Sequence, residues 1–199
     1  MYSLFVDTAY KYLTVAILKD KEVVASFSEE CFKRQSEKLL VVLDDLFTSN
    51  NLDRTKVEKV YITAGPGSYT GVRIAMTLAK VLCEVKNIKL YTISTLKLYA
   101  GNKENTMVLM DARANRAYVG VYDKGRCLLE DRAMPIDEID PKDYNIVLDG
   151  ELIGKESVVP NIVECFINCI NDFVEVENIN HLTPKYLKES DAYYRWNTK

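Results

Sequence analysis

The sequence predicts an α/β protein made of two related halves, each a meander of strands followed by helices. In each half an apolar strand ends in an aspartate, turns, and continues into two further strands. The two aspartates are Asp7 and Asp111. The predicted strands cover residues 3–7, 13–18 and 23–28 in the first half and residues 107–110, 117–122 and 127–133 in the second. A polar, glycine-containing stretch at 101–105 separates the halves, so we expect an N-terminal unit over 1–100 and a shortened C-terminal unit over 101–199.

The remaining elements follow from periodicity and from residues typical of helix ends. Asp53 is expected to cap a short turn before the central strand, and Ser94 with Thr95 begins a short helix. The other predicted elements are helices over 36–47, 70–83 and 161–173 and strands over 57–63, 88–93, 146–148 and 184–187.

Composition and charge argue against several classes of function. With 48% hydrophobic and 28% charged residues, the 199-residue chain has the balance of an ordinary globular protein. A net charge of −3 argues against a protein that holds nucleic acid through its own surface field. The sequence shows no signal-peptide pattern and no apolar run of bilayer length, and its five cysteines are scattered and odd in number. We therefore expect a cytoplasmic protein with buried, reduced thiols and no contact with a membrane.

The stretch 64–82 organises the chain, because a strand runs there into a glycine-rich turn and then into a helix. Four residues shape the turn: Gly65, Pro66, Gly67 and Gly71. Ser68 or Thr70 is expected to cap the helix. The glycine spacing fits neither a Walker loop, nor the dinucleotide fingerprint, nor a serine nucleophile elbow. The residues favour a tight structural turn and leave a phosphate-facing loop open as the alternative.

Two predicted helices carry large apolar surfaces. The helix over 36–47 has one apolar stripe at helical spacing, made of Leu39, Leu40, Val42, Leu43, Leu46 and Phe47. The helix over 70–83 is apolar nearly all round, and its polar exceptions are Arg73, Thr77 and Lys80. A helix that is apolar on every side is buried on every side, so we expect one side of this helix to meet a partner.

No set of residues for catalysis stands out. The chain has one histidine, His181, and no cluster of histidines and cysteines with zinc-site spacing. Cys165 and Cys169 lie one helical turn apart, and without a second pair we interpret them as core thiols. Asp7 and Thr8 at the end of the first strand favour a capped turn, with a metal- or phosphate-facing carboxylate as the alternative.

Five motifs, in this order, resemble the TsaB family, which is also called YeaZ. They are Asp7-Thr8-Ala9, the run Gly65-Pro66-Gly67-Ser68-Tyr69-Thr70-Gly71-Val72-Arg73, Ser94-Thr95-Leu96, Asp111-Ala112-Arg113 with Tyr118 beyond it, and Pro184-Lys185-Tyr186-Leu187. The resemblance spans nearly the whole chain. The chain departs from the family at Tyr69, where phenylalanine is usual, at Gln35, where histidine is frequent, and in its shorter C-terminal half.

The resemblance implies a fold and a function. The family has the actin/hexokinase/Hsp70-like (ASKHA) fold, with two related α/β subdomains. The chain would be the non-catalytic subunit that pairs with the TsaD paralogue when threonylcarbamoyl is transferred to the adenosine beside the tRNA anticodon. It would meet a TsaE-type ATPase in the larger complex, meet tRNA through the complex, and form a homodimer when alone. No metal or cofactor would be bound by this chain by itself, and ATP or ADP would sit at the complex interface.

The resemblance also implies two groups of site residues. The partner or dimer interface would comprise Leu39, Leu43, Leu46, Phe47, Thr70, Arg73, Ile74, Met76, Thr77 and Lys80. The motif loop and nucleotide-facing group would comprise Asp7, Thr8, Gly65, Pro66, Gly67, Ser68, Tyr69, Gly71, Asp111 and Arg113. A rival hypothesis is a nucleotide phosphatase or kinase of the same fold, in which Asp7 or Asp111 positions a metal and a water. The single histidine argues against a metalloprotease.

Overall fold

The structure, a computed structural model, describes residues 1–31 and 33–187. Its strands are β1 (Tyr2–Asp7), β2 (Tyr12–Lys19), β3 (Glu22–Glu30), β4 (Val57–Thr63), β5 (Lys89–Ile93), β6 (Thr106–Arg113), β7 (Arg116–Asp123), β8 (Arg126–Pro135), β9 (Asn145–Leu148) and β10 (Val174–Glu175). Its α-helices are α1 (Gln35–Ser49), α2 (Tyr69–Lys86), α3 (Thr95–Ala100) and α4 (Ile162–Cys169).

The strands form two mixed sheets, of six and four strands, that share a four-strand topology. In the first sheet the order is β10-β5-β4-β1-β2-β3, with β1 antiparallel to β2 and parallel to β4. In the second sheet the order is β8-β7-β6-β9, with β6 antiparallel to β7 and parallel to β9. Each half thus places a three-stranded meander beside a parallel strand that pairs with the meander's first strand. The predicted duplication is confirmed.

The helices divide the core into layers. Leu4 and Val6 of β1 pack with α1 and α2 on one face of the first sheet, while Phe5 points to the other face, as alternation along a strand requires. On that other face α3 and α4 fill the space between the two sheets, and Phe166 of α4 stacks on Phe5 with ring centroids 4.2 Å apart. Helices α1 and α2 therefore lie on the side of the first sheet that faces away from the second.

Most predicted elements are present with small changes in their bounds, and three expectations are wrong. The helix expected over 161–173 ends at Cys169, and 3-10 geometry follows over residues 170–172. Residues 184–187 form no strand, because the segment makes a single backbone bond, from the Lys185 amide to the Ala64 oxygen at 2.7 Å, in place of a ladder. Cys127 is exposed, whereas the other four cysteines are buried as expected.

The last part of the chain returns to the first sheet. Helix α4 contacts β2 and β3, and β10 pairs with β5 through Val174 and Thr92. The turn at 101–105 does lie between α3 and β6, yet the residues after 161 pack largely on the first half. The division at residue 100 stays a prediction, and the end of the C-terminal unit, residues 188–199, lies outside the described residues.

Candidate functional site

The glycine turn between β4 and α2 is packed tightly against the turn that follows β1. A Cβ on Gly67 would lie 2.3 Å from the carbonyl oxygen of Ala9, and a Cβ on Gly71 would lie 2.2 Å from that of Thr8. Neither position has room for a side chain. The hydroxyl of Thr8 donates to the Gly71 oxygen at 2.7 Å and accepts from the Ala75 amide at 3.2 Å. The two turns therefore form one hydrogen-bonded unit.

The other side of the glycine turn is also covered by the chain itself. Gly65 has a φ of +97°, and a Cβ there would lie 2.9 Å from the Lys185 oxygen. Ser68 is the N-cap of α2, since its hydroxyl oxygen accepts from the Gly71 amide at 3.3 Å. The Ser68 amide donates to the carbonyl oxygen of Ala9, 2.7 Å away. These contacts support the structural turn over the phosphate-facing loop.

Asp7 lies at the centre of a closed polar cluster. Its carboxylate is fully buried and accepts from the Thr63 hydroxyl at 2.6 Å, the Tyr99 hydroxyl at 2.6 Å and the Ala9 amide at 3.0 Å. Burial raises the pKa of Asp7, and these hydrogen bonds only partly oppose that rise. A carboxylate enclosed in this way cannot reach a metal, a water or a nucleotide in solvent, which argues against the phosphatase or kinase hypothesis for Asp7.

Asp111 and Arg113 lie elsewhere, at the end of β6. Asp111 is partly exposed and forms an ion pair with Arg113 at 3.1 Å, and its side chain accepts from the Arg113 amide at 2.7 Å. The Asp111 amide donates to Asp149 at 2.8 Å. The structure thus brings Asp7, Thr8, Gly67 and Gly71 together and leaves Asp111 and Arg113 on the second sheet.

Three buried polar residues escaped the sequence analysis. Asp149 accepts from the Tyr10 hydroxyl and from Lys11 at 3.0 Å. Asp131 accepts from the hydroxyls of Ser94 and Tyr122 and lies 3.4 Å from Lys185. The side chain of Gln35 donates to the Tyr10 oxygen at 2.8 Å. A sequence pattern could have identified Asp149, because it follows a predicted strand, as Asp7 and Asp111 do, and precedes a glycine. No such pattern marks Asp131 or Gln35.

Neither a metal cluster nor a membrane helix is present in the described part of the chain. Over residues 1–31 and 33–187, no three His, Cys, Asp or Glu side chains are grouped so as to hold a metal ion. The described helices include none that is long and apolar enough to cross a bilayer.

Several residues expected at a partner interface lie in the core of the chain instead. Leu39, Leu43, Phe47 and Met76 are no more than 9% exposed and pack between the helices and the first sheet. Of the others, Thr70, Arg73 and Thr77 are exposed, and Leu46, Ile74 and Lys80 are partly buried. A surface that binds another protein must therefore be formed by neighbours of the buried four.

Those neighbours form an exposed apolar surface, here named the α1/α2 face. Its members are Leu40 on α1 and Ile74, Leu78, Val81, Leu82 and Val85 on α2. Leu40 is 64% exposed, Val81 56% and Val85 80%. A groove of about 230 Å³ lies between the two helices, and its lining includes the ion pair of Arg54 with Asp44, at 2.9 Å. One side of α2 is thus open to solvent in the chain alone, as the expectation of a partner on this helix requires, and the partner itself stays a prediction.

The C-terminal segment covers the flank of α2 that adjoins the α1/α2 face. Lys80 donates to the carbonyl oxygens of Asn180 at 3.0 Å and Leu182 at 3.1 Å. Arg73 donates to the Tyr186 hydroxyl at 2.8 Å, and the rings of Tyr186 and Tyr69 stack 5.3 Å apart. Arg73 and Lys80 are thus engaged within the chain, on the flank that borders the α1/α2 face.

Comparison with known proteins places the chain in a family. A family model described as "TsaD: tRNA N6-adenosine threonylcarbamoyltransferase" matches residues 21–138, more than half of the chain. The Bacillus subtilis "tRNA threonylcarbamoyladenosine biosynthesis protein TsaB" is 31% identical over 131 residues. The chain belongs to the TsaB/YeaZ family. The match to the B. subtilis TsaB covers 64% of this chain and only 57% of that protein's length.

Two further relatives cover nearly all of the chain. A Mycoplasma pneumoniae protein described as "Uncharacterized protein MG208 homolog" is 28% identical in an alignment of 203 positions that covers 94% of this chain and 95% of that protein. The structure of YeaZ from Pseudomonas aeruginosa has a TM-score of 0.76 at 22% identity and covers 94% of this chain and 99% of that chain. The expected fold, two related subdomains with mixed sheets as in the ASKHA proteins, is confirmed.

Proposed function

We propose that the chain is a non-catalytic subunit required for threonylcarbamoyl transfer to the adenosine beside the tRNA anticodon, and that it binds the TsaD paralogue through the α1/α2 face. Membership in the TsaB/YeaZ family supports the reaction. The exposed apolar side of α2 supports the mode of binding, and it is the observation that carries the proposal. ATP or ADP, a TsaE-type ATPase and tRNA belong to the proposed complex as partners that this subunit meets through TsaD.

The chemistry of the α1/α2 face fits a protein partner. Val81 and Val85 are more than half exposed on α2, where their apolar neighbours Ile74, Leu78 and Leu82 are half-buried. Charged groups lie at the edge of the groove, where Asp44 and Arg54 pair and Lys86 donates to the Arg54 oxygen at 3.0 Å. An apolar centre with a polar rim is the usual anatomy of a protein interface. A second copy of the chain can cover the same surface, which accounts for the expected homodimer.

The proposal is tested by measuring the affinity of the purified chain for the TsaD paralogue of the same organism by calorimetry. Val85→Glu is the informative variant, because Val85 is 80% exposed and a charge there leaves the fold intact. Losing most of a buried valine removes about 1.5 kcal/mol, so binding should weaken about tenfold or more. Leu43 and Met76 are unsuitable positions, since both are buried and a charge would unfold the chain.

A matched control separates the α1/α2 face from exposed valines in general. Val174 in β10 is 69% exposed and lies outside the α1/α2 face. Val174→Glu should therefore bind TsaD as tightly as the unsubstituted chain. Equal affinity of the Val85→Glu variant and the unsubstituted chain would contradict the proposed surface.

A further inference from the structure

The turn after β1 touches the elements that carry the α1/α2 face. Its Ala9 oxygen accepts from Ser68 at the start of α2, 2.7 Å away. Its Tyr10 oxygen accepts from Gln35 at the start of α1, 2.8 Å away. The Lys11 oxygen accepts from the Cys31 amide at 2.9 Å, where the chain leaves β3 on its way to α1. The position of this turn therefore sets the N-terminal ends of both helices.

The contact to α1 matters because it joins the first residue of that helix to the turn after β1. Arg34 stands at the N-cap of α1 and makes no side-chain capping bond. Gln35 is 5% exposed and is buried against the turn. The bond from the Gln35 side-chain amide to the Tyr10 oxygen joins the first turn of α1 to the turn after β1.

The same residue, Tyr10, also connects this turn to the second half of the molecule. Its hydroxyl donates to one oxygen of Asp149, which also accepts from the Asp111 amide at 2.8 Å. The other oxygen of Asp149 accepts from Lys11 at 3.0 Å. Asp149 is buried and lies just after β9 of the second sheet, so the bond spans the two halves. Burial, together with the hydrogen bond to Asp149, raises the pKa of Tyr10, and the phenol remains a protonated donor.

We propose that Tyr10 is a positioning residue for the α1/α2 face: its hydroxyl is held by Asp149 of the second half, and its carbonyl holds Gln35 of α1. The second half thereby fixes where α1 begins without touching the partner. The assignment rests on the proposed function, because the α1/α2 face is the surface that Tyr10 would position.

A second junction in the molecule has the same chemistry and provides the control. Asp131 is buried, accepts from the Tyr122 hydroxyl and lies 3.4 Å from Lys185, as Asp149 accepts from Tyr10 and from Lys11. Tyr122 is in β7 of the second sheet and packs in the core between the two sheets, whereas the buried residues of α1 pack on the other face of the first sheet. Tyr10→Phe and Tyr122→Phe each remove one tyrosine hydroxyl that donates to a buried carboxylate. A general loss of stability therefore affects both variants alike.

The first experiment measures amide hydrogen exchange of the full chain without any partner. In the Tyr10→Phe variant, exchange at the amides of Lys38 to Val42 in α1 should become at least about fivefold faster, because the turn whose Tyr10 oxygen holds Gln35 loses its bond to Asp149. In the Tyr122→Phe variant these amides should exchange as in the unsubstituted chain. Equal exchange rates at these α1 amides in the Tyr10→Phe and Tyr122→Phe variants would overturn the proposal. If Tyr10→Phe does not accumulate as folded protein, Asp149→Asn, whose amide oxygen still accepts, and Asp149→Ala replace it, and only the alanine variant should show faster exchange.

A double-mutant cycle on TsaD affinity tests whether the effect passes through Gln35. Tyr10→Phe and Gln35→Met should each weaken binding about fivefold, and the double variant should be no weaker than Gln35→Met alone. Multiplied effects in the double variant would show that Tyr10 acts by another route and would overturn the proposal. Failure of the unsubstituted chain to bind TsaD would contradict the proposed function and leave the exchange result to decide the role of Tyr10.

Discussion

The close approach of Gly71 to Thr8 makes a quantitative prediction for Gly71→Ala. The new Cβ would lie 2.2 Å from the Thr8 oxygen, whereas ordinary contacts begin at 3.4 Å, so the two turns must separate by about 1 Å. The obstacle is backbone, which cannot rotate away as a side chain does. Separation also stretches the two hydrogen bonds of the Thr8 hydroxyl. Overpacking together with these weakened bonds should lower the free energy of unfolding by roughly 3 kcal/mol.

Urea denaturation followed by circular dichroism measures this loss, and Gly154→Ala is its control. Gly154 has a φ of +70° with nothing within 4 Å of its would-be Cβ, so alanine there introduces backbone strain without a clash. That strain should lower the free energy of unfolding by about 1 kcal/mol. For a chain of this length the Gly71→Ala loss corresponds to a fall in Tm of roughly 6–12 °C. A loss for Gly71→Ala no larger than that for Gly154→Ala would refute the steric argument.

Three further variants test the site and the core. For Asp7, burial raises the folded-state pKa above the ordinary 3.8. The folded chain therefore keeps the Asp7 proton to a higher pH than the unfolded chain does. The contribution of Asp7 to the free energy of unfolding falls as pH rises above 3.8. The free energy of unfolding of Asp7→Asn should therefore gain on that of the unsubstituted chain as pH rises above the ordinary carboxyl pKa, and a constant difference in urea titrations would contradict this. Ser68→Ala should cost about 1 kcal/mol, because the Gly71 amide loses its cap, and no change in the urea midpoint would count against the cap. Phe166→Ala should cost roughly 3–5 kcal/mol, since the ring is fully buried and stacked on Phe5, and a loss below 1 kcal/mol would show that the layer between the sheets is loosely packed.

Local patterns in the sequence were sufficient to predict most of the helices and strands and the repeated meander. The strand-ending Asp7 and Asp111 indicated two related meanders, and both sheets have the order this implies. Ser68 and Asp53 act as caps because short-range bonds depend on sequence spacing alone.

Contacts between distant parts of the chain were not predictable in this way. Periodicity identified the apolar stripe of α1 but not which of its residues meets the sheet, and Leu43, for which the resemblance implies a partner surface, lies in the core. Asp149 accepts a hydrogen bond from Tyr10, which is 139 positions away in the sequence, and Asp131 accepts one from Ser94, 37 positions away. No local pattern reports such pairs, because they form only when the two halves pack against each other.

The central claim is that this chain is required for tRNA modification but leaves the chemistry to its paralogue. The measurement that tests it most directly is threonylcarbamoyladenosine formation on tRNA by purified proteins, with this chain alone, with the complete set of partners, and with this chain omitted. We expect product only when all partners are present, and a strong reduction when the Val85→Glu variant replaces the unsubstituted chain. Product formed by this chain alone, or undiminished product in its absence, would contradict the account.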